Sequence, residues 1–275
     1  MPGKLLVSAV PKQLVQALFG TLGLRLMRLG AFDESLKAFG ETLKANLVSS
    51  SLDTFFSTLK ERGFAPKHII DVGANHGHWT RAALKYFPQA YYTLVEPQDH
   101  LRSHVQDLLT GDGRVRWIGA GASDNLGTLP LCIPPHRDDS SSFVFTTSHL
   151  GCLRKIAGMS QIEVPVTTLN EIVRTSDAPF PDLVKIDAEG FDLKVLAGAS
   201  RLVGKTDIFL LEATICARGL ENTLENVIQT MAHLGYRIFD ITDRNYSSKY
   251  GVLWLCELAF LRNGSHLLDG IDSYD

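Results

Sequence analysis

The sequence predicts an α/β fold, a mostly parallel sheet with helices on both faces. Three observations predict it. Short apolar runs recur along the chain, at residues 69–72, 91–95, 115–118, 183–186 and 208–211. Segments of helical spacing lie between them. A tight turn with glycines at Gly73 and Gly77 follows the first run. Buried strands alternating with helices read as βαβ units, which impose parallel pairing and cover both faces of the sheet.

Each element has its own justification. The first thirty residues hold Lys4, Lys12, Arg25 and Arg28, no acid, and the apolar Leu14, Val15, Leu18, Phe19, Leu22 and Leu26. They are expected as an amphipathic helix, packed on the domain or a partner, or lying on a membrane surface as a peripheral contact. An import presequence has the same basic, acid-poor look. No run approaches the roughly 18 apolar residues of a membrane span. Phe32, Leu36, Phe39, Leu43, Leu47, Leu52, Phe55, Phe56 and Leu59 continue at helical spacing to Gly63. Residues 1–62 are therefore expected as a helical extension, and 63–275 as the α/β domain. Helices are expected over 79–86, 100–109, 193–196 and 224–234. Residues 127–168 lack helical periodicity: 128–133 and 162–168 alternate like strands, with loop between them. This stretch is expected as an insertion that contacts substrate. Residues 236–241 and 252–261 are expected to pair antiparallel, joined by the polar stretch 242–250.

Composition narrows the class. The chain has 275 residues, 45% hydrophobic and 21% charged, as in a soluble globular protein. A net charge of -3 gives no bulk drive toward nucleic acid. Cys132, Cys152, Cys216 and Cys256 form no C-x-x-C pair. They fit a reducing, cytoplasmic setting and argue against a zinc site.

The site residues sit at strand ends. A dinucleotide fingerprint requires G-x-G-x-x-G, but here Asn75 replaces the middle glycine. Asp71 would repel a pyrophosphate and suits a cofactor with a positive group, such as the amino end of S-adenosylmethionine. Gly73, Asn75 and Gly77 shape that turn, and the helix N-terminus after Gly77 can receive a carboxylate. Glu96, ending the second strand, is expected to accept hydrogen bonds from ribose hydroxyls. Ser123 and Asp124, after the third strand, are expected near adenine. Lys185, Asp187 and Glu189 lie at the end of a buried strand, where ionisable groups are costly unless paired or used.

"IIDVGANHGHWT", "LVEPQ", "GASDNLGTL", "VPVTTLNEI", "LVKIDAEGFDLKVLAGA" and "IFLLE" resemble, in order and spacing, the FkbM-type family of S-adenosylmethionine-dependent methyltransferases. The likeness runs from about residue 67 to 212 and is weaker to 262. It implies a Rossmann-like class I methyltransferase sheet of seven strands, the last antiparallel. It implies Asp71, Gly73, Asn75 and Gly77 at the methionine end, Glu96 at ribose, Ser123 and Asp124 near adenine, and Asp187 beside the sulfonium and the acceptor. It also implies O-methylation of a sugar or a glycosylated small molecule.

Methyl transfer is an in-line displacement that gains from a general base near the acceptor hydroxyl. Asp187 is the first candidate; its other reading is a cofactor contact or an ion pair with Lys185. Lys185 either positions the acceptor oxygen or pairs with Asp187 or Glu189, and Glu189 could instead cap the next helix. His76, His136 and His149 are secondary candidates for the base, each read first as an exposed-loop residue with no catalytic task. Ser140, Ser141 and Ser142 could bond sugar hydroxyls. No resident metal is expected, although Asp187 and Glu212 would be the oxygen ligands for magnesium if one were used. Two further readings are methylation of a protein or peptide at a membrane surface, and a non-catalytic module that keeps the fold.

Overall fold

The computed structural model describes residues 51–135, 141–143, 159–216 and 220–272. The expected helices before residue 51 lie outside these residues, as do His136, Ser140 and His149.

Helix α1 (Ser51–Glu61) leads into strand β1 (His68–Val72), helix α2 (His78–Tyr86) and strand β2 (Tyr91–Val95). A 3-10 turn over Asp99–Val105 runs into the short helix α3 (Gln106–Leu109), where a single α-helix was expected. Strands β3 (Val115–Ile118), β4 (Gly121–Ala122), β5 (Gly127–Ile133) and β6 (Ser160–Thr167) follow. Helix α4 (Leu169–Arg174), strand β7 (Leu183–Ile186), helix α5 (Asp192–Ala197), strand β8 (Ile208–Thr214) and helix α6 (Leu224–His233) restore the alternation. Strands β9 (Tyr236–Tyr246) and β10 (Leu253–Arg262) close the fold.

The seven-stranded sheet has the order β3-β2-β1-β7-β8-β10-β9. Only β10 runs antiparallel to its neighbours, β8 and β9. The order reverses direction at β1, between β2 and β7, so a crevice opens at the carboxyl ends of those strands. A second sheet, β4-β6-β5, takes β5 and β6 from residues 127–168 and β4 from the segment before them.

Side chains alternate between two cores, as the two-residue period of a strand requires. Ile70, Val72, Val184, Ile186, Phe209 and Leu211 face one core, which also takes Leu131, Val164 and Val166 of the second sheet. Ile69, Leu183, Ile208 and Leu210 face the other, together with Phe55, Phe56 and Leu59 of α1. Because those three α1 residues are fully buried there, α1 belongs to the α/β domain. The expected boundary at residue 62 therefore moves to the start of α1, in line with the compact unit that begins at Ser51. Helix α4 was not expected. Its signal is the Thr168-x-x-Glu171 capping box, in which the Thr168 hydroxyl accepts from the Glu171 N–H.

Candidate active site

A cavity of about 260 Å³ opens at the crevice. Residues 72–76 after β1 form one wall and Glu96, Pro97 and Gln98 after β2 a second. Lys185 of β7, with Asp187 and Glu189 after it, forms a third, and Gly121, Ala122 and Leu131 of the second sheet, with Ser141 and Phe143 of a loop, complete the lining.

The β1–α2 turn is built for close approach. Gly73 has φ 72°, and a Cβ on it would stand 1.8 Å from the Asp187 carbonyl oxygen. Asn75 is left-handed at φ 45° without being glycine. Gly77, also left-handed, caps α2 with no side-chain acceptor, so the first turn of α2 presents bare N–H groups beside the cavity residues His78 and Trp79. Arg81 fastens this turn by donating to the His76 carbonyl at 2.5 Å and pairing with Asp107 at 2.6 Å.

Glu96 is 4% exposed and reaches the cavity. One carboxylate oxygen accepts the Asn75 N–H, and the other accepts the Gln98 N–H, both at 3.0 Å. Burial raises its pKa, and the backbone donors of Gln98 and Asn75 pull it back. Gln98 donates to the same carboxylate and accepts from the Ser141 hydroxyl, which ties the segment bridged to β5 through Ser142 to the site.

Lys185 is the hub of the third wall. β1 and β7 pair with Asp71 opposite Lys185. The Lys185 ammonium lies 3.2 Å from Asp71 Oδ1 and 3.3 Å from Asp187 Oδ2, and donates to the Gly73 carbonyl at 3.0 Å. Burial opposes its charge, yet Asp71, Asp187 and Glu257 outweigh burial and raise its pKa. It is a fixed cation. Behind it, burial and the charge of Asp187 push the Asp192 carboxyl well above its usual range. Glu212 is raised well above its usual range too, by burial and by Asp187, Glu189, Asp192 and Glu257 around it. Glu257 is pushed up to about 7, chiefly by burial.

The structure brings Gly73, Asn75, Glu96, Lys185 and Asp187 together on the cavity wall. It corrects other expectations. Asp71 is completely buried and does not line the cavity. It shares the strand face of Ile69, under α2, so Thr80 donates to its Oδ2 at 2.6 Å and Lys185 faces its Oδ1. In the structure Asp71 supports Lys185 from behind the cavity wall. Ser123 and Asp124 are not among the residues lining the cavity: Ser123 N–H donates to Thr167, its hydroxyl to Asp124, and Asp124 faces Lys194. Gly121 and Ala122 hold the wall in their place. Gly77 acts as the cap of α2 and does not line the cavity. Glu189 does not cap α5, whose N-cap is Phe191. It is left-handed at φ 52°, on the cavity wall, with its carbonyl accepting from the Ser142 hydroxyl. Such backbone strain concentrates at functional sites.

His76 lines the cavity and packs its ring edge-on against His104, centroids 4.4 Å apart. Ser141, one of the serines expected against sugar hydroxyls, lines the cavity, and Gln98, His78 and Trp79 are cavity residues that sequence reasoning did not assign. The signal for Gln98 was an amide two residues after the strand-ending acid. Among the described residues, no group of three His, Cys, Asp or Glu side chains converges to hold a metal. None of the described helices is long and apolar enough to cross a membrane.

This sheet order, with its single antiparallel strand and its cavity at the β1 switch point, defines a class I Rossmann-like methyltransferase fold. The Methyltransferase FkbM domain model matches residues 71–238, and the chain belongs to that family. Methyltransferase sdnD of Sordaria araneosa is 28% identical over 159 residues, covering 47% of this chain and 59% of that protein. M. capricolum TrmK, solved with S-adenosylhomocysteine, superposes with TM-score 0.42 and 9% identity, over 76% of this chain and 68% of that one. A putative RNA methyltransferase from Pyrococcus horikoshii does so with TM-score 0.43 and 10% identity, over 77% and 83%.

Proposed function

We propose that the chain is an S-adenosylmethionine-dependent O-methyltransferase whose acceptor is a sugar hydroxyl or a glycosylated small molecule. The observation that carries this reading is the pairing of two carboxylates across one cavity. The Glu96 carboxylate is aimed by two backbone N–H groups, and Asp187 is held beside a fixed lysine ammonium.

The donor set fits the cofactor. Glu96 offers acceptor oxygens to a ribose diol, and the bare first turn of α2 offers N–H groups to a carboxylate. Gly73 lets the backbone pass close to Asp187. When bound, S-adenosylmethionine supplies an electrophilic methyl group on a positively charged sulfur. This chain's own residues do the rest. Asp187, 35% exposed at its side chain, accepts the acceptor hydroxyl proton as the methyl–oxygen bond forms. Lys185, 3.3 Å from Asp187 Oδ2, orients that carboxylate, and being a fixed cation it does not act as the base itself. Carbon displacement needs alignment above all, and the interlocked walls provide it.

An acceptor screen tests the reading. Purified chain, S-adenosylmethionine and a library of sugars and glycosylated metabolites are incubated and scanned by mass spectrometry. A gain of one methyl group with equimolar S-adenosylhomocysteine is expected. Methylation confined to peptides or to nitrogen acceptors refutes it.

A further inference from the structure

The β9–β10 hairpin projects past the catalytic edge of the sheet. Ile186 pairs with Leu211, Glu212 with Glu257, and Glu257 with Asp243, so Asp187 and Asp243 lie at nearly the same height. Tyr246 is three residues further along β9, about 10 Å beyond that level at about 3.3 Å per residue. β9 is separated from β7 by β8 and β10, about 14 Å sideways at about 4.8 Å per strand. The hairpin tip therefore overhangs the carboxyl edge about 17 Å from Asp187.

The tip carries a small cavity of its own, about 230 Å³, lined by Asn245, Tyr246, Ser247, Ser248, Tyr250 and Trp254. Tyr246 is 58% and Tyr250 63% exposed, which leaves both rings open to solvent. The turn beneath them is braced: Ser247 N–H donates to Val252, Gly251 N–H to Ser247, and Tyr250 N–H to the Ser247 hydroxyl. The Lys249 ammonium stands 5.0 Å from the Tyr250 ring centroid. Flat aromatic faces offer stacking area, while an amide and hydroxyls around them offer directional hydrogen bonds. That combination suits the apolar C–H face and the hydroxyl rim of a pyranose ring. A membrane-inserting tip would place apolar side chains at its apex, where this one has Ser247 and Ser248.

We propose that the hairpin tip is a carbohydrate subsite that anchors the distal sugar of an extended acceptor while its reactive hydroxyl reaches Asp187. The inference rests on the glycosylated acceptor proposed above and adds a length to it: the preferred acceptor is longer than one pyranose ring.

The test uses the full chain and a panel of gluco-, galacto-, manno- and rhamno-oligosaccharides of increasing length, read by saturation-transfer NMR and titration. The wild type should bind longer members better than monosaccharides. Tyr246→Ala/Tyr250→Ala should weaken that binding about tenfold, the loss of roughly one stacking contact. Tyr250→Phe should retain it. With a methylated acceptor in hand, the double variant should raise KM for long acceptors and leave KM for short ones in place. No binding of any panel member by the wild type overturns the proposal. So does an unchanged KM across lengths, or binding to phosphatidylserine vesicles that the same variant abolishes. Panel binding lost in the variant, with no sugar methylated, supports the subsite and refutes the O-methylation reading alone.

Discussion

Asp71→Asn is the substitution that most sharply separates a structural acid from a ligand contact. Asp71 is fully buried, and the Lys185 ammonium beside it is 4% exposed. Removing one partner of a buried pair typically costs about 3–5 kcal/mol, because the remaining charge is left without compensation. Here Lys185 keeps Asp187 at 3.3 Å and the Gly73 carbonyl at 3.0 Å, so the lower end applies, about 3 kcal/mol. An asparagine oxygen can still accept from Thr80, but its amide then points at an ammonium, donor against donor. Thr80→Val removes only the hydroxyl donor and should cost about 1.5 kcal/mol. Asp71→Asn/Lys185→Met removes the orphaned charge and should recover at least half of the Asp71→Asn loss, a coupling that contacting residues show. The assay is urea unfolding at neutral pH, read by circular dichroism, with the slope checked for constancy. A cost below about 1 kcal/mol for Asp71→Asn, or strict additivity in the double variant, would refute the buried-pair account.

Three further predictions follow from the same geometry. Gly73→Ala places a Cβ 1.8 Å from the Asp187 carbonyl in a left-handed backbone, so it should lower Tm and abolish cofactor binding, read by thermal shift; a variant that binds as wild type sinks the idea. Glu257 has its pKa raised to about 7 by burial, so its contribution is fully present below the unfolded value near 4.5 and is lost as pH rises through about 7. Glu257→Gln should then be relatively stabilised at pH 8 compared with pH 5, and a pH-independent difference in Tm contradicts this. Asp187→Asn should lower kcat by about 10²–10⁴-fold while S-adenosylmethionine affinity changes only a few-fold. An undiminished kcat would remove Asp187 as the base.

The buried strands were legible because continuous apolar runs leave little else for Ile69–Val72 or Leu183–Ile186 to be. Their ends were less so. β8 continues through Glu212 to Thr214, and β9 through Tyr246, because β10 supplies ladder partners that no local pattern announces. The site shows the same divide. Glu96 and Lys185 could be assigned from their positions at strand ends. The role of Asp71 could not, because it depends on which face of β1 lies under α2, a tertiary fact. Ser123 and Asp124 follow β3 in sequence, but the two-residue strand β4, which pairs with β6, intervenes and puts Gly121 and Ala122 on the cavity wall. The walls contributed by Gln98, Ser141 and Phe143 come from loops brought in by long-range contacts, including the Cys132–Ser142 backbone pairing.

Cofactor recognition centres on Glu96 and the cavity it edges. Equilibrium titration of the full chain with S-adenosylmethionine tests it most directly, comparing wild type with Glu96→Ala and Asp124→Ala. Saturable binding is predicted for the wild type, with a loss of at least about 100-fold, roughly 3 kcal/mol, in Glu96→Ala and little change in Asp124→Ala. Wild-type affinity in Glu96→Ala, or a loss confined to Asp124→Ala, would contradict the site described above.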